Sequence, residues 1–316
     1  MKKTSKLALL FSLSIALLSG CSFPGLASTS DENTVAITGG ITSEAQILGA
    51  VVAEAQILGA VVAGMVEHYT DKNTTVINNL ATTTINHQAM MNGDASISAA
   101  RYTGTDLTTT LGLEPESDPQ AAFDKVKSEF EKRYQQTWFP SYGFDNTYVF
   151  LVRKDTAEKY GLEKVSDLKD VADQLVAGVD TAWITRVGDG YDGFQKAYGF
   201  SFQNILPMQI GLVYDAVDNG KMDIVLGYST DGRIGSYDLV MLEDDLNFFP
   251  PYDAAPIVDD KLLQETPEIG DALNKLAGKI DTEKMQELNY QVDNDLLEPT
   301  VVAERFLEEN NYFEGE

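Results

Sequence analysis

Tyrosines stand at several predicted strand ends and in nearby loops. They are Tyr102, Tyr148, Tyr228 and Tyr252. A quaternary ammonium ion has no N–H group to donate, so a protein holds it best between the faces of aromatic rings. Several converging tyrosines could form such a cage. Each tyrosine taken singly is better explained as an ordinary half-buried residue.

Two other motifs suggest chemistry less specifically. The segment Gly188–Gly193 fits the GxGxxG pattern, but it carries two aspartates that would repel a pyrophosphate, and no clear apolar strand directly precedes it. The same aspartates lack the later ligands of a calcium loop, so a glycine-rich surface turn is the simpler interpretation. Ser166 and Lys169 have the spacing found in some hydrolases, but Ser-Asp before an apolar run is typical of a helix N-cap.

The chain has few residues suited to catalysis or metal binding. It contains one cysteine, Cys21, and two histidines, His68 and His87, both in helix-like segments. A nucleophile with its base, or a zinc site, needs several such groups in one place. We therefore expect no enzyme activity, no cofactor and no metal.

The N-terminus has the features of an export signal. Lysines precede an apolar run from Leu7 to Leu18, and small residues follow it up to Cys21. This pattern also fits bacterial lipoproteins, in which the cysteine receives a lipid. Residues 1–20 are thus predicted to be a signal peptide and residues 21–33 a lipidated tether, which indicates a protein anchored at the extracytoplasmic face of the cell membrane.

The remaining composition limits the partners. A formal net charge of −26 argues against nucleic acid. An acidic surface is compatible with a cationic ligand, but it is more often only a solubility feature. No later stretch approaches the roughly 20 apolar residues that span a bilayer, and the mature chain is long enough to form two domains with their own cores.

Strand-like apolar runs alternate with helical patterns, which predicts α/β layers. Two stretches are similar to each other, because each contains a helix, an Asn-Gly stop and a strand that ends in tyrosine, Tyr102 in one and Tyr228 in the other. A hydroxyl-rich turn follows each tyrosine, at the strand ends where parallel sheets bind ligands. Two similar lobes facing one cleft would explain this arrangement.

A perfect repeat follows the first predicted strand. Residues Glu44–Ala53 are copied at Glu54–Ala63, and the pattern is helical. Ser43 with Gln46 forms a capping box, so we expect one long helix from Ser43 to about Tyr69. Ten residues are not a whole number of helical turns, so both copies cannot present the same face to the core, and the insertion must protrude or distort its surroundings.

From about Asn33 to its end the chain resembles the glycine betaine/carnitine/choline-binding proteins of osmoprotectant ABC transporters. The matching motifs are RYTGTDL at 101–107, SYGFDNTY at 141–148, PMQIGLVYDA at 207–216, YSTDGR at 228–233, FFPPYD at 248–253 and MQELNY at 285–290. The resemblance implies a type II periplasmic-binding-protein fold, in which two α/β lobes close over a ligand. It also implies lobe I at 34–140 plus 244–316 and lobe II at 141–243.

The resemblance places the cage on the four tyrosines named above. It implies that Thr105 hydrogen-bonds a ligand carboxylate, where choline-selective relatives carry an aspartate. A glutamine of the family is replaced by Gly40, so backbone amides of the Gly40–Ser43 loop would have to substitute for it, and Asn146 is a further candidate for the polar end of the ligand.

The function implied is capture of a quaternary-ammonium osmolyte and its delivery to a separate permease with its ATPase. Two alternatives remain at this point. A binding protein for another solute, such as an amino acid, would need a carboxylate for the ligand's N–H groups. An exported enzyme would need an acid/base pair in the cleft, for which the sequence offers no support.

Overall fold

Two five-stranded mixed sheets organise the chain. The structure is a computed structural model that describes residues 33–39, 50–78, 80, 82–186 and 188–313. The first sheet has the spatial order β2 (Asn73–Ile77), β1 (Thr34–Thr38), β3 (Ile97–Tyr102), β10 (Ala254–Asp259), β4 (Gln136–Trp138). The second has the order β7 (Asn204–Met208), β6 (Val176–Asp180), β8 (Ile224–Tyr228), β5 (Tyr148–Arg153), β9 (Leu239–Leu242).

The two sheets have the same topology. In each, three neighbouring strands are parallel, and an antiparallel strand separates the third of them from the edge strand. That antiparallel strand is β10 in the first sheet and β5 in the second, so each follows a segment that crosses from one sheet to the other. The two similar stretches recognised in the sequence thus end in β3 and β8, the third parallel strand of each sheet.

Helices cover both sheets. They are α1 (Ala50–Tyr69), α2 (Thr83–Asn92), α3 (Thr103–Thr105), α4 (Pro119–Tyr134), α5 (Lys154–Tyr160), α6 (Thr181–Ile184), α7 (Tyr191–Tyr198), α8 (Ile210–Asp218), α9 (Arg233–Ser236), α10 (Asp260–Glu265), α11 (Glu268–Asn274), α12 (Thr282–Asp293) and α13 (Pro299–Glu309). A π-helical turn spans 106–110 and a 3-10 helix spans 165–170. The 3-10 helix begins at Val165, so the N-cap predicted at Ser166 is wrong. Lys164 is the N-cap residue, and Asp167 accepts the backbone N–H groups of Glu163 and Lys164.

The second copy of the repeat packs into the core. Within α1, Ile57, Leu58, Val61 and Val62 are fully buried. Gly59 approaches the end of β1 so closely that an added Cβ would lie 2.8 Å from the Gly39 Cα atom. The second copy therefore neither protrudes nor lacks a core contact, and whether the insertion protrudes or distorts its surroundings elsewhere stays a prediction. Ser43 and most of the first copy lie outside the described residues.

Each sheet has separate hydrophobic clusters on its two faces. The first sheet is covered on one side by α1 and the C-terminal helices, and on the other by α2 and α4. The face of the second sheet that packs on α7 is rich in aromatic rings, including Phe150, Trp183 and Phe194. Each sheet therefore has its own hydrophobic core. The candidate site lies at the strand ends and connecting segments between the two sheets.

A candidate ligand site lined by tyrosines

The predicted tyrosines meet where the two sheets face each other. Tyr102 ends β3 and Tyr228 ends β8, each at the carboxyl edge of the parallel strands. Tyr148 begins β5 directly opposite Tyr228 in the antiparallel register. Tyr252 stands in the returning segment, two residues before β10. Residues far apart in the chain therefore converge at one edge of each sheet, where α/β folds place their ligands.

These side chains line a cavity of about 320 Å³, here called the tyrosine cavity. Six of the residues singled out in the sequence are part of its lining, and Cys21 and Gly40 lie outside the described residues. Four residues that were not singled out complete the lining. The full set is Thr83, Tyr102, Thr105, Thr108, Thr109, Asn146, Tyr148, Arg186, Tyr228 and Tyr252.

The aromatic walls are held by contacts on their outer side. Tyr148 and Tyr228 stack with their ring centroids 5.1 Å apart and their planes at 26°. The Tyr148 hydroxyl donates to Asp180 Oδ2 at 2.9 Å, and the Tyr228 backbone N–H donates to the Tyr214 hydroxyl. Burial raises the pKa of the Tyr148 and Tyr228 hydroxyls, so both stay protonated. The rings are neutral and fixed in place.

Glu54 lies behind Tyr102, and the sequence reasoning did not identify it. Its Oε1 atom accepts hydrogen bonds from the Tyr102 hydroxyl at 2.6 Å and from Asn146 Nδ2 at 3.1 Å, while the residue is fully buried. Burial raises the pKa of this carboxyl. The amide nitrogen of Asn146 therefore donates to the protein itself, while its Oδ1 atom is buried without a hydrogen-bond partner among the described residues.

Among the described residues that line the tyrosine cavity, Arg186 is the one cationic side chain. Its Nη2 atom donates to the Tyr252 hydroxyl at 2.7 Å, and its guanidinium carbon lies 5.9 Å from the centroid of the Tyr148 ring. An ion pair with Asp189 holds it at 2.8 Å, yet 41% of the side chain remains exposed. It also lines an adjacent cavity of about 420 Å³ that shares Tyr252 and Thr108.

The glycine-rich segment that follows Arg186 is a tight turn. A Cβ at Gly190 would lie 2.1 Å from the Arg186 carbonyl oxygen, and one at Gly193 would lie 1.8 Å from that of Gly188. The glycines thus allow the chain to fold closely against itself before α7. This geometry supports the interpretation of the segment as a turn. The residue near it that lines the tyrosine cavity is Arg186.

The histidines lie apart from the tyrosine cavity. His87 packs against Phe130 and Tyr134, and burial lowers its pKa to about 4. His68 packs against Tyr69 and Phe313. Within the described part of the chain, no group of three or more His, Cys, Asp or Glu residues could hold a metal ion. No helix among those same residues is long and apolar enough to cross a membrane.

Two similar α/β lobes with a ligand cavity lined from both sheets define the class of two-lobed solute-binding proteins. Residues 46–309 match the family described as the substrate-binding domain of ABC-type glycine betaine transport systems, and the chain belongs to this family. It is 51% identical over 298 residues to the carnitine transport binding protein OpuCC of Listeria monocytogenes, covering 94% of this chain and 93% of the relative. Members of the family are transport binding proteins.

Solved structures agree with this assignment. One described as a glycine betaine/carnitine/choline ABC transporter superposes with a TM-score of 0.83 at 48% identity, covering 89% of this chain and 100% of that one. The lactococcal OpuAC, complexed with glycine betaine in a closed conformation, has a TM-score of 0.52 at 16% identity over 89% of this chain and 98% of its own. The latter likeness supports the type II periplasmic-binding-protein fold alone.

Proposed function

We propose that this chain captures a quaternary-ammonium compatible solute, such as carnitine, glycine betaine or choline, and delivers it to an ABC permease driven by a separate ATPase. The observation that carries the proposal is the convergence of Tyr102, Tyr148, Tyr228 and Tyr252 in one cavity. Each aromatic face contributes about 0.5 to 2 kcal/mol to cation binding, depending on desolvation. The relatives named for carnitine and glycine betaine support this ligand class.

The polar end of the cavity suits a ligand carboxylate. Thr105 offers a hydroxyl and Arg186 a guanidinium, and both line the tyrosine cavity. An arginine can meet a carboxylate with two parallel hydrogen bonds. We therefore assign the trimethylammonium group to the tyrosines and the carboxylate to Thr105 and Arg186, with Asn146 beside them. The Gly40 loop remains a further candidate for contact with the carboxylate.

An amino acid fits this lining less well. Its ammonium group has N–H donors and needs a carboxylate acceptor, whereas none of the ten described residues that line the tyrosine cavity is acidic. An enzymatic role would need an acid and a base beside the ligand. Threonines and neutral tyrosines do not supply such a pair, so the bound solute should be released unchanged.

Ligand contacts from both lobes would couple binding to closure. Tyr102 belongs to the first sheet, whereas Tyr148 and Tyr228 belong to the second. A ligand held by all three favours the closed arrangement, because that arrangement alone brings every contact together. We take lobe I as 34–140 plus 244–316 and lobe II as 141–243, and we infer that the closed form is recognised by the permease.

The N-terminal pattern supports export and anchoring. Residues 1–20 would be removed as a signal peptide and Cys21 would carry the lipid, with residues 21–33 as a tether at the extracytoplasmic face. A Cys21→Ala variant should then lose metabolic labelling with palmitate and leave the membrane fraction. Continued membrane association of this variant would contradict the anchor.

Calorimetric titration of the mature domain with carnitine, glycine betaine and choline tests the proposed function. We expect binding of at least one of these ligands and a loss of at least about tenfold in affinity for Tyr102→Ala and Tyr228→Ala, since each removes a ring from the cage. Tyr160→Ala is the matched control, because Tyr160 lies on α5 outside the cavity. No binding by the wild-type domain, or equal losses in the control, would refute the cage.

A further inference from the structure

Asp180 is a buried carboxylate that the proposed binding site does not itself touch. It ends β6 and is only 8% exposed. It occupies the N-cap position of α6, yet its side chain makes no capping hydrogen bond. Instead its Oδ2 atom accepts the hydroxyl of Tyr148 at 2.9 Å. The carboxylate is therefore directed at the outer end of a ring that lines the tyrosine cavity.

Arg186, whose guanidinium carbon lies 5.9 Å from the Tyr148 ring centroid, forms its ion pair with Asp189 and not with Asp180. The ion pairs found among the described residues do not include Asp180. A buried carboxylate without a basic partner is costly, so its retention behind a cavity wall calls for a reason. Its negative potential also reaches Tyr228, because that ring stacks on Tyr148.

A phenol hydroxyl that donates a hydrogen bond to an anion makes its ring face richer in electrons. Cation–π attraction arises from the negative potential of that face, so it strengthens as the face becomes more negative. An apolar group of the same shape gains nothing from this change. The pair of Asp180 and Tyr148 is thus suited to discriminate by charge and not by size.

We propose that Asp180, acting through the Tyr148 hydroxyl, is a positioning and polarising residue that makes the cage prefer a cation over a neutral group of equal shape. This inference rests on the proposed function, since it concerns the ligand class of the same site. The other tyrosines differ from Tyr148. Tyr252 accepts a hydrogen bond from Arg186, and Tyr102 donates to Glu54, a carboxyl with a pKa raised by burial.

Two ligands of equal shape separate charge from size. Glycine betaine and tert-butylacetate differ only in the replacement of the cationic nitrogen by carbon. The quantity to measure is the ratio of their association constants, with the weaker ligand determined by competition. In Asp180→Asn the amide oxygen still accepts the Tyr148 hydroxyl, so the geometry is kept while the charge is lost. We expect this ratio to fall by about threefold to tenfold relative to the wild type.

Asp244→Asn is the matched control. Asp244 accepts the hydroxyl of Tyr198, and neither residue lines the tyrosine cavity. This variant removes the same charge from the same kind of pair, so the ratio should stay at the wild-type value. An equal fall in Asp244→Asn would show a general effect of charge and would overturn the proposal.

Tyr148→Phe tests the route through the hydroxyl. It keeps the ring and removes the hydrogen bond, so the ratio should fall as it does in Asp180→Asn. A ratio that falls in Asp180→Asn but persists in Tyr148→Phe would overturn the role of the tyrosine. An unchanged ratio in Asp180→Asn would show that Asp180 has only a structural role and would overturn the proposal. If the wild type bound neither glycine betaine nor its relatives, the proposed function itself would fail first.

Discussion

In the tyrosine cavity, one part of each tyrosine side chain contacts the protein and another part is available to the proposed ligand. Ring faces line the cavity, while hydroxyl groups of Tyr102 and Tyr148 donate to the buried carboxyls Glu54 and Asp180. The hydroxyl of Tyr252 instead accepts from Arg186. Each ring is thus fixed by a specific partner, which lowers the entropy lost when a ligand is bound. The proposed polar end consists of Thr105 and Arg186, which line the same cavity.

Replacement of Arg186 by methionine should separate the ligands by their carboxylates. We expect affinity for glycine betaine and carnitine to fall by about tenfold, because a charge-assisted hydrogen bond is lost, while choline binding changes little. Parallel calorimetric titrations measure this. Arg305→Met, on the exposed side of α13, is the control. Equal losses for choline and the carboxylated ligands would contradict a carboxylate contact.

Replacement of Thr105 by aspartate should reverse the selectivity. An aspartate placed in the lining would repel a ligand carboxylate and attract a cation, so the ratio of glycine betaine to choline affinity should fall at least about tenfold. The same titrations, with Thr137→Asp on β4 as a control outside the cavity, provide the measurement. A ratio that stays constant would remove Thr105 from the carboxylate end.

At the scale of elements, α1 links the repeat to the site. Its second copy supplies both the buried apolar face and Glu54, which accepts hydrogen bonds from β3 and from the segment that crosses between the sheets. Gly59 allows the close approach of α1 to the end of β1. The position of this helix therefore controls the outer support of Tyr102 and Asn146.

Deletion of one copy of the repeat should preserve binding. Removing 44–53 or 54–63 produces the same chain, because the copies are identical. Ser43 would then directly precede Glu54, with Gln56 at the third helical position, which places the capping-box pattern directly before the copy that packs into the core. We expect ligand affinity to be kept and the free energy of unfolding to rise by up to about 1 kcal/mol.

Calorimetry and thermal unfolding measure the two effects of the deletion. A variant in which 44–53 is replaced by ten glycine and serine residues is the control for length, and it should bind like the wild type. Loss of binding in either variant would show that the first copy is needed. Binding found only after deletion would instead show that the duplication impairs the site.

At the scale of the whole molecule, buried carboxyls lie where the two sheets are joined. Asp145 accepts the backbone N–H of Tyr252, so it ties one crossing segment to the other. Burial, together with the charges of Asp253 and Glu54, raises its pKa to about 7. Burial likewise raises the pKa of Asp259 to about 6. The folded chain therefore holds protons that the unfolded chain releases.

Stability should fall as the pH rises from 6 to 8. A carboxyl whose pKa is raised by folding contributes its full stabilisation of the folded state at pH values below its unfolded pKa. This contribution is lost as the pH rises through the folded pKa. Asp145 alone accounts for about 1 kcal/mol over this interval. The lowered pKa of His87 acts in the opposite direction, but only below its ordinary value of 6.5.

Denaturant unfolding at several pH values checks this expectation. Asp145→Asn should remove most of the slope between pH 6 and 8, because the amide no longer titrates. Asp170→Asn, at an exposed position, controls for the loss of one negative charge. A slope unchanged by Asp145→Asn would assign the pH dependence to other groups.

The sequence by itself determined the parts of this protein that depend on local pattern and on the identity of single residues. Alternating apolar runs predicted the α/β layers, and tyrosines at strand ends offered candidates for a shared site. The Asn-Gly stops were also legible, since Gly93 and Gly220 adopt positive φ values that favour glycine. The family motifs predicted the topology and the four tyrosines and Thr105 that line one cavity.

Only the tertiary structure showed that the second copy of the repeat packs into the core, because two identical segments have identical local preferences. It also showed Glu54, Asp180 and Arg186 around the tyrosines. Glu54 lies 48 residues from Tyr102 in the chain, and Asp180 lies 32 from Tyr148. No local periodicity encodes contacts across such separations. They arise when the sheets and the crossing segments pack together and exclude water from the groups between them.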